Sequence, residues 1–187
     1  ALGRFLELAA TPLAVRSSSL LEDSQFRPLA GIYDTFMLPN NHPDPAFRLE
    51  QLSRAVRLVY ASAFSAQARA YLSAAPHLQD EEKMAVVLQQ LVGKPHGGRF
   101  YPDFSGLAQS YNYYPVAPFS SGDGIVYATL GLGRSVVEGG RTLDFCPAHP
   151  EVLFQFSSVK EALANSQREF RALDLGRSDY LPERDPD

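Results

Sequence analysis

The chain has one cysteine, Cys146, among its 187 residues. A lone cysteine excludes an internal disulfide framework and fits a reducing, cytoplasmic setting. A basic surplus is lacking as well: 17 Lys and Arg stand against 21 Asp and Glu, a formal net charge of −4. Nucleic-acid recognition needs clustered basic surface, so nucleic acid is not an expected partner. No apolar run approaches the ~20 residues that span a bilayer, and no signal-peptide pattern opens the chain, so no membrane partner is expected either. Ala1-Leu2-Gly3-Arg4 carries no initiator Met, and the chain reads as a piece excised from something longer. Internal repeats and low-complexity segments are missing. Metal-ligand clusters are sparse: Cys146-Pro147-Ala148-His149 supplies two ligands where zinc wants about four. The other histidines, His42, His77 and His96, are scattered through Pro- and Gly-rich loops.

What is present is the composition of an ordinary globular protein, 45% hydrophobic and 20% charged, with length for one sizeable domain or two small lobes sharing a cleft. Phe5, Leu8 and Ala9 recur at helical spacing within Arg4 to Ala10, and Pro12 ends that segment. Leu13-Ala14-Val15 predicts a strand that delivers Arg16-Ser17-Ser18-Ser19 to its end. Residues 20–31 read as an irregular loop, and alternation predicts a strand over Ile32 to Leu38. After a loop with three prolines, Leu49, Leu52, Val56, Val59, Tyr60 and Phe64 define a helix over Phe47 to Leu72, broken near Ser65. From Met84 the pattern changes to strands. Met84 to Leu88 predicts a buried strand leaving through Gln89-Gln90-Leu91-Val92; Arg99 to Tyr101, Ser110 to Tyr114, Gly124 to Ala128 and Arg141 to Phe145 follow with the spacing of an antiparallel sheet. Ser157-Ser158 with Glu161 signals a capped helix over Val159 to Leu173. The expected fold is α+β, over residues 1–175, followed by an exposed tail over 176–187.

The strand-end group has chemistry to offer. An arginine followed by hydroxyls and backbone amides suits phosphate, because a guanidinium gives planar, charge-assisted donors. Such bonds contribute about 1.5–3 kcal/mol net. Alone the signal is generic, since a strand-end arginine can equally be structural or solvated.

The wider pattern is more specific. Val15-Arg16-Ser17-Ser18, Glu22-Asp23 and Leu29-Ala30-Gly31-Ile32-Tyr33-Asp34-Thr35-Phe36 are followed by Val59-Tyr60-Ala61-Ser62-Ala63-Phe64, by Met84 to Val92, and by Gly131-Leu132-Gly133 with Val136-Val137 and Gly139. In this order they resemble the motifs of the N-terminal ATP-grasp domain of the phosphoenolpyruvate synthase and pyruvate phosphate dikinase family. The resemblance implies an ATP-grasp-like lobe with an antiparallel sheet, flanking helices, and two sub-lobes hinged near residues 89–92. It implies ATP and Mg²⁺ as cofactors, and phosphohistidine and phosphoenolpyruvate- or pyruvate-binding domains as partners in the parent chain. Arg16, beside Ser17, corresponds to a phosphate-contacting arginine. Gly31, Ile32 and Thr35 correspond to the loop that closes over the phosphates, with Ile32 contributing its backbone. Gln89 and Gln90 correspond to the hinge that meets adenine and ribose, Glu138 to a magnesium- and phosphate-facing carboxylate, and Arg141 to a second arginine. By the same resemblance Arg16 and Arg141 are the catalytic cations.

Three positions depart from the family pattern. Arg134 stands where the family has the glutamate of its "GLGE" motif, Tyr127 where it has an acidic residue, and Ile32 where it has glutamine. No histidine sits in the family's phosphohistidine motif, so the chain is not expected to run a complete dikinase reaction by itself. The competing expectation is a degenerate ATP-grasp lobe that serves as a regulatory or scaffold module. A small-molecule ligase would need an acceptor-carboxylate site, for which no residues stand out.

Overall fold

The computed structural model describes residues 1–19, 31–73, 83–137 and 139–183. The described elements are α1 (Leu2–Leu8), β1 (Leu13–Ser19), β2 (Thr35–Leu38), α2 (Pro45–Ser62), α3 (Ala66–Ser73), β3 (Met84–Gln90), β4 (Lys94–His96), β5 (Arg99–Tyr101), β6 (Ser105–Gln109), β7 (Ile125–Thr129), α4 (Arg134–Val137), β8 (Leu143–Phe145), α5 (Val159–Asn165) and β9 (Leu173–Asp174). Helices and small antiparallel sheets coexist, so the class is α+β. Among the described residues no helix is long and apolar enough to cross a membrane. Two compact units are present. The first comprises Ala1–Val92, Gly97–Phe100 and the segment from Leu173; the second comprises Gly93–His96 and Tyr101–Ala172.

The first unit is a sheet of order β2-β1-β3 with helices on one side. β1 runs antiparallel to both neighbours, with Arg16 opposite Thr35 and Val87, and Ala14 opposite Met37 and Gln89. Because side chains alternate along a strand, Leu13, Val15 and Ser17 point to the helices with Phe36, Leu38, Val86 and Leu88. Arg16 and Ser18 point away. The helix-side residues join Leu6, Ala9, Leu52, Ala55 and Val59 in one apolar core. The buried stripe of α2, Gln51, Leu52, Ala55, Val59 and Ser62, has the three-and-four spacing that puts residues on one helix face. Asp44 starts α2 by accepting a 2.8 Å hydrogen bond from Ala46 N, and Pro45 fits the first helical position, where no amide partner is needed. The break near Ser65 is present, and Ser65 Oγ accepts from Ala68 N at 3.0 Å to begin α3.

Five expectations need correction, the last of them in the sheet of the second unit. β2 is shorter than the Ile32-to-Leu38 alternation predicts, because the Asp34 amide donates to Ser62 Oγ on α2 rather than to β1. β3 is half open instead of buried: Ala85, Val87 and Gln89 face away from the helices and are exposed. The α5 helix stops at Asn165; Ser166 is extended, and the chain beyond it is used in bridges at Arg171 and in β9, where Leu173 pairs with Phe100. The tail from Gly176 is docked as far as the described residues run. The buried Gln51 amide donates to the carbonyls of Ser178 and Tyr180, at 3.0 and 2.5 Å, and Pro182 is fully buried.

The second unit holds a sheet of order β6-β7-β8, antiparallel throughout. Its first strand is Ser105–Gln109, not the aromatic run Ser110 to Tyr114 that alternation suggests. Asn112 explains the difference: its Oδ1 accepts from Tyr114 N at 2.9 Å, and its backbone N–H donates to Ser121 O at 2.8 Å. A side-chain oxygen that bonds the backbone two residues on makes a turn instead of a strand. The buried Cys146 thiol donates to Asp123 O.

Candidate functional site

Strand alternation sorts the sequence-predicted residues of the first unit. Arg16 and Thr35 are directly opposite one another on the open face of the sheet, and both are exposed. Gln89 shares that face, diagonal to Arg16 through the Ala14–Gln89 pair; diagonal neighbours lie about 7–8 Å apart, within reach of long side chains. A cation, a hydroxyl and an amide therefore stand on one solvent-facing platform, with Ser18 beside Arg16 on β1. Ser17 and Gln90 are on the opposite face. Ser17 is 6% exposed, within the helix-covered side, and Gln90 is opposite Leu13 at the end of the ladder. Gly31 is exposed with φ +80° and has open space where a Cβ would be, and Ile32 is half-buried. Glu22, Asp23, Leu29 and Ala30 lie outside the described residues.

In the second unit a cavity of about 390 Å³ is lined by Arg134, Arg141, Arg168 and Arg171 with Ser135, Gln167, Glu169 and two glycines. Sequence reading singled out Arg141 and treated Arg134 as a lost carboxylate; the structure brings the two together. Arg168 and Arg171 had no sequence signal, because long-range pairing places them. Gly131 forms a bridge with Arg171, and Leu132 N donates to Arg171 O at 2.9 Å. One segment earlier, Gln167 acts as a substitute peptide group. Its Oε1 accepts from Leu130 N at 2.8 Å, and its Nε2 donates to Leu130 O at 3.1 Å and to Glu169 O at 2.8 Å. Arg168 is steadied by a 2.9 Å bond from its guanidinium to Leu163 O, at the end of α5. On the α4 side the turn closes through Gly140 N to Ser135 O at 2.7 Å. A Cβ on Gly140 would lie 2.8 Å from Ser135 Cβ, so glycine permits the close approach.

These lining charges decide what the cavity can hold. Among the described residues the lining includes four arginines and one carboxylate residue, Glu169. Multiply charged oxyanions suit such a lining, because arginine gives bidentate, charge-assisted bonds to phosphate and carboxylate. Magnesium suits it poorly, since Mg²⁺ needs oxygen ligands. Among the described residues no three of His, Cys, Asp and Glu come together as a metal-holding group. Glu138, the expected metal ligand, lies outside the described residues. Tyr127 is on β7, opposite Leu107 and Asp144, and is half-buried. The described residues thus do not fit a protein-held magnesium, and no step is derived through one.

No curated protein matches the chain. A family model, that of the pyruvate phosphate dikinase AMP/ATP-binding domain, matches residues 2–171. The match runs through most of both compact units and includes the β1–β2–β3 platform and the residues of the arginine-lined cavity, but not the segment of the first unit from Leu173. The chain therefore belongs to the AMP/ATP-binding domain family of pyruvate phosphate dikinase.

Proposed function

We propose that this chain is the nucleotide-binding part of a phosphoenolpyruvate synthase- or pyruvate phosphate dikinase-like phosphotransferase, which passes a phosphoryl group from ATP to a histidine on another domain of its parent protein. The observation that carries the reading is the placement of Arg16, Thr35 and Gln89 on one exposed sheet face. Phosphoryl transfer is mostly positioning and charge neutralisation. Arg16 supplies a fixed cation for phosphate, Thr35 a hydroxyl donor beside it, and Gln89 an amide for the ribose or base. Gly31, with no Cβ and a left-handed backbone, lets main-chain amides come close to a phosphate. Arg141 adds a second cation. Magnesium belongs to this reading as the companion of ATP. The proposed setting is the cytoplasm, where a lone free cysteine stays reduced.

Calorimetry of the parent protein with Mg-ATP, wild type beside Arg16→Ala, tests the assignment. Loss of one charge-assisted contact of about 1.5–3 kcal/mol weakens binding roughly 10- to 150-fold. Equal affinity in the two proteins would remove Arg16 from the site, and no heat in either would end the nucleotide reading.

A second reading, a regulatory or scaffold module, is favoured by Arg134 and Tyr127, which stand where the resemblance has carboxylates. It separates cleanly: the parent protein incubated with ATP labelled at the β-phosphate gains acid-labile histidine phosphate on the first reading and none on the second.

A further inference from the structure

The tyrosine-rich loop that begins at Ser110 in the second unit has no part in the nucleotide reading. Tyr113 and Tyr114 are 71% and 89% exposed, and Tyr111, Val116 and Phe154 are exposed as well. Large apolar groups gathered on a surface mark an interaction site, whereas single ones do not. Beside this loop is a pocket of about 200 Å³ whose lining includes Tyr114, Phe119, Phe145 and Phe154. Its walls are held by specific contacts. The Phe119 and Phe154 rings are 5.4 Å apart, and Asn112 fixes the loop through Tyr114 N and Ser121 O. Gln155 ties the turn after Phe154 to β8, accepting from Asp144 N at 2.9 Å and donating to Thr142 O at 3.1 Å.

Charge decides what such a pocket can take. Asp144 is part of its lining. Thr142 Oγ1 donates to Asp144 Oδ1, which steadies the carboxylate and leaves it acceptor capacity, since an ionised carboxylate has about four lone-pair sites. The stretches that build the walls, 100–133 and 142–159, contain no lysine or arginine, but they do contain Asp103, Asp123, Asp144 and Glu151. The histidine among them, His149, stacks on Phe119 and is paired with Glu151 at 4.0 Å. Among the described residues Asp144 has no lysine or arginine partner. Aromatic rings beside a carboxylate favour an organic cation, and the same charge disfavours nucleic acid or an anionic membrane. The space is smaller than the roughly 300–1,000 Å³ of small-molecule sites, so it suits one side chain, and tyrosines around it suit a protein surface.

We propose that this pocket receives an arginine side chain of a protein partner, its guanidinium stacking on the aromatic walls and donating to the Asp144 carboxylate, while Tyr111, Tyr113 and Tyr114 meet the partner around it. Arginine suits it better than lysine because a planar, weakly hydrated guanidinium both stacks and forks onto a carboxylate. Nuclear magnetic resonance of the isotope-labelled full chain, titrated with capped Gly-Arg-Gly, Gly-citrulline-Gly and Gly-Leu-Gly, tests this. Citrulline keeps the shape of arginine without its charge. The expected result is saturable shifts of the Tyr114, Phe145 and Cys146 amides with the arginine peptide and much weaker ones with the other two. Asp144→Asn and Tyr114→Ala should each weaken arginine-peptide binding about threefold or more. Tyr114 is too exposed for its loss to unfold the unit, and circular dichroism checks the fold of Asp144→Asn. Equal binding of the citrulline or leucine peptide overturns the proposal, since the pocket would then read shape and not charge. Shifts absent with every peptide, or unchanged affinity in both variants, overturn it as well.

Discussion

Gly131 shows how one position can serve both packing and chemistry. Its backbone is left-handed, φ +74°, and a Cβ there would lie 2.6 Å from Arg171 O and 2.7 Å from a Phe170 ring carbon. Alanine would be strained by its own conformation and would also push the Arg171 main chain off its bridge. Strained φ alone costs about 1–3 kcal/mol, so Gly131→Ala should lower the urea midpoint by at least that equivalent. Asp123 makes a different local contribution. Its carboxylate accepts from Ser120 N at 2.7 Å and closes a reciprocal cap with the Ser120 side chain. The Ser120 backbone and hydroxyl, and more weakly His149, hold its pKa below the usual carboxylate value of 3.8. A carboxyl whose folded pKa is depressed stabilises the fold above its unfolded pKa and loses that contribution as pH falls through the folded value. Thermal melts of wild type and Asp123→Asn should therefore differ at pH 5–7 and converge as pH drops below about 4. A gap that persists unchanged at pH 2.5 would assign the effect to shape instead of charge.

At the scale of elements, α2 does two jobs with one face. Leu52, Ala55 and Val59 cover the sheet, while Gln51, 1% exposed, turns its amide to the docked C-terminal segment. A buried amide without partners would cost about 1–3 kcal/mol, so the two carbonyls it meets explain why a polar residue is tolerated there. Gln51→Ala removes both bonds and should release the 176–183 segment. Trypsin cleavage after the exposed Arg177 should quicken several-fold while the far-UV spectrum stays unchanged; unaltered cleavage would mean that the buried Pro182 and the Arg54–Glu183 pair hold the segment without Gln51. The elements also show what periodicity can and cannot reveal. α2 was legible because its apolar stripe recurs at three-and-four spacing, although its first turn from Pro45 was read as loop, and β1 because its run is short and bounded by Pro12. The run from Ser110 to Tyr114 misled because aromatic content imitates a strand, whereas the Asn112 turn is a matter of one side chain's hydrogen bonds. The early end of α5 was hidden for another reason: helical spacing continues past Asn165, but Arg171 and Leu173 are recruited to distant partners.

For the whole molecule, family membership was legible from ordered motifs because those motifs sit where local sequence and local backbone coincide. The platform was legible in part. Arg16 and Thr35 could be named from sequence, but which of the adjacent pairs Arg16-Ser17 and Gln89-Gln90 faces outward depends on strand register, which only pairing reveals. The cavity was the least legible feature, since its arginines are gathered from positions as far apart as 134 and 171. Formal net charge, −4 over the chain, gives no hint of it, because opposite charges elsewhere mask a local excess.

The alternation of β1 has a consequence for which changes in length the protein can survive. Leu13, Val15 and Ser17 belong to the interior and Arg16 and Ser18 to the open side, so the strand is read as two interleaved messages, one for stability and one for ligand. Deleting a single residue between Leu13 and Ser19 would exchange the two messages at once, placing arginine in the core and valine on the surface. Removing two neighbouring residues would keep the phase of both. Natural relatives with gaps in this strand should therefore show them in even numbers.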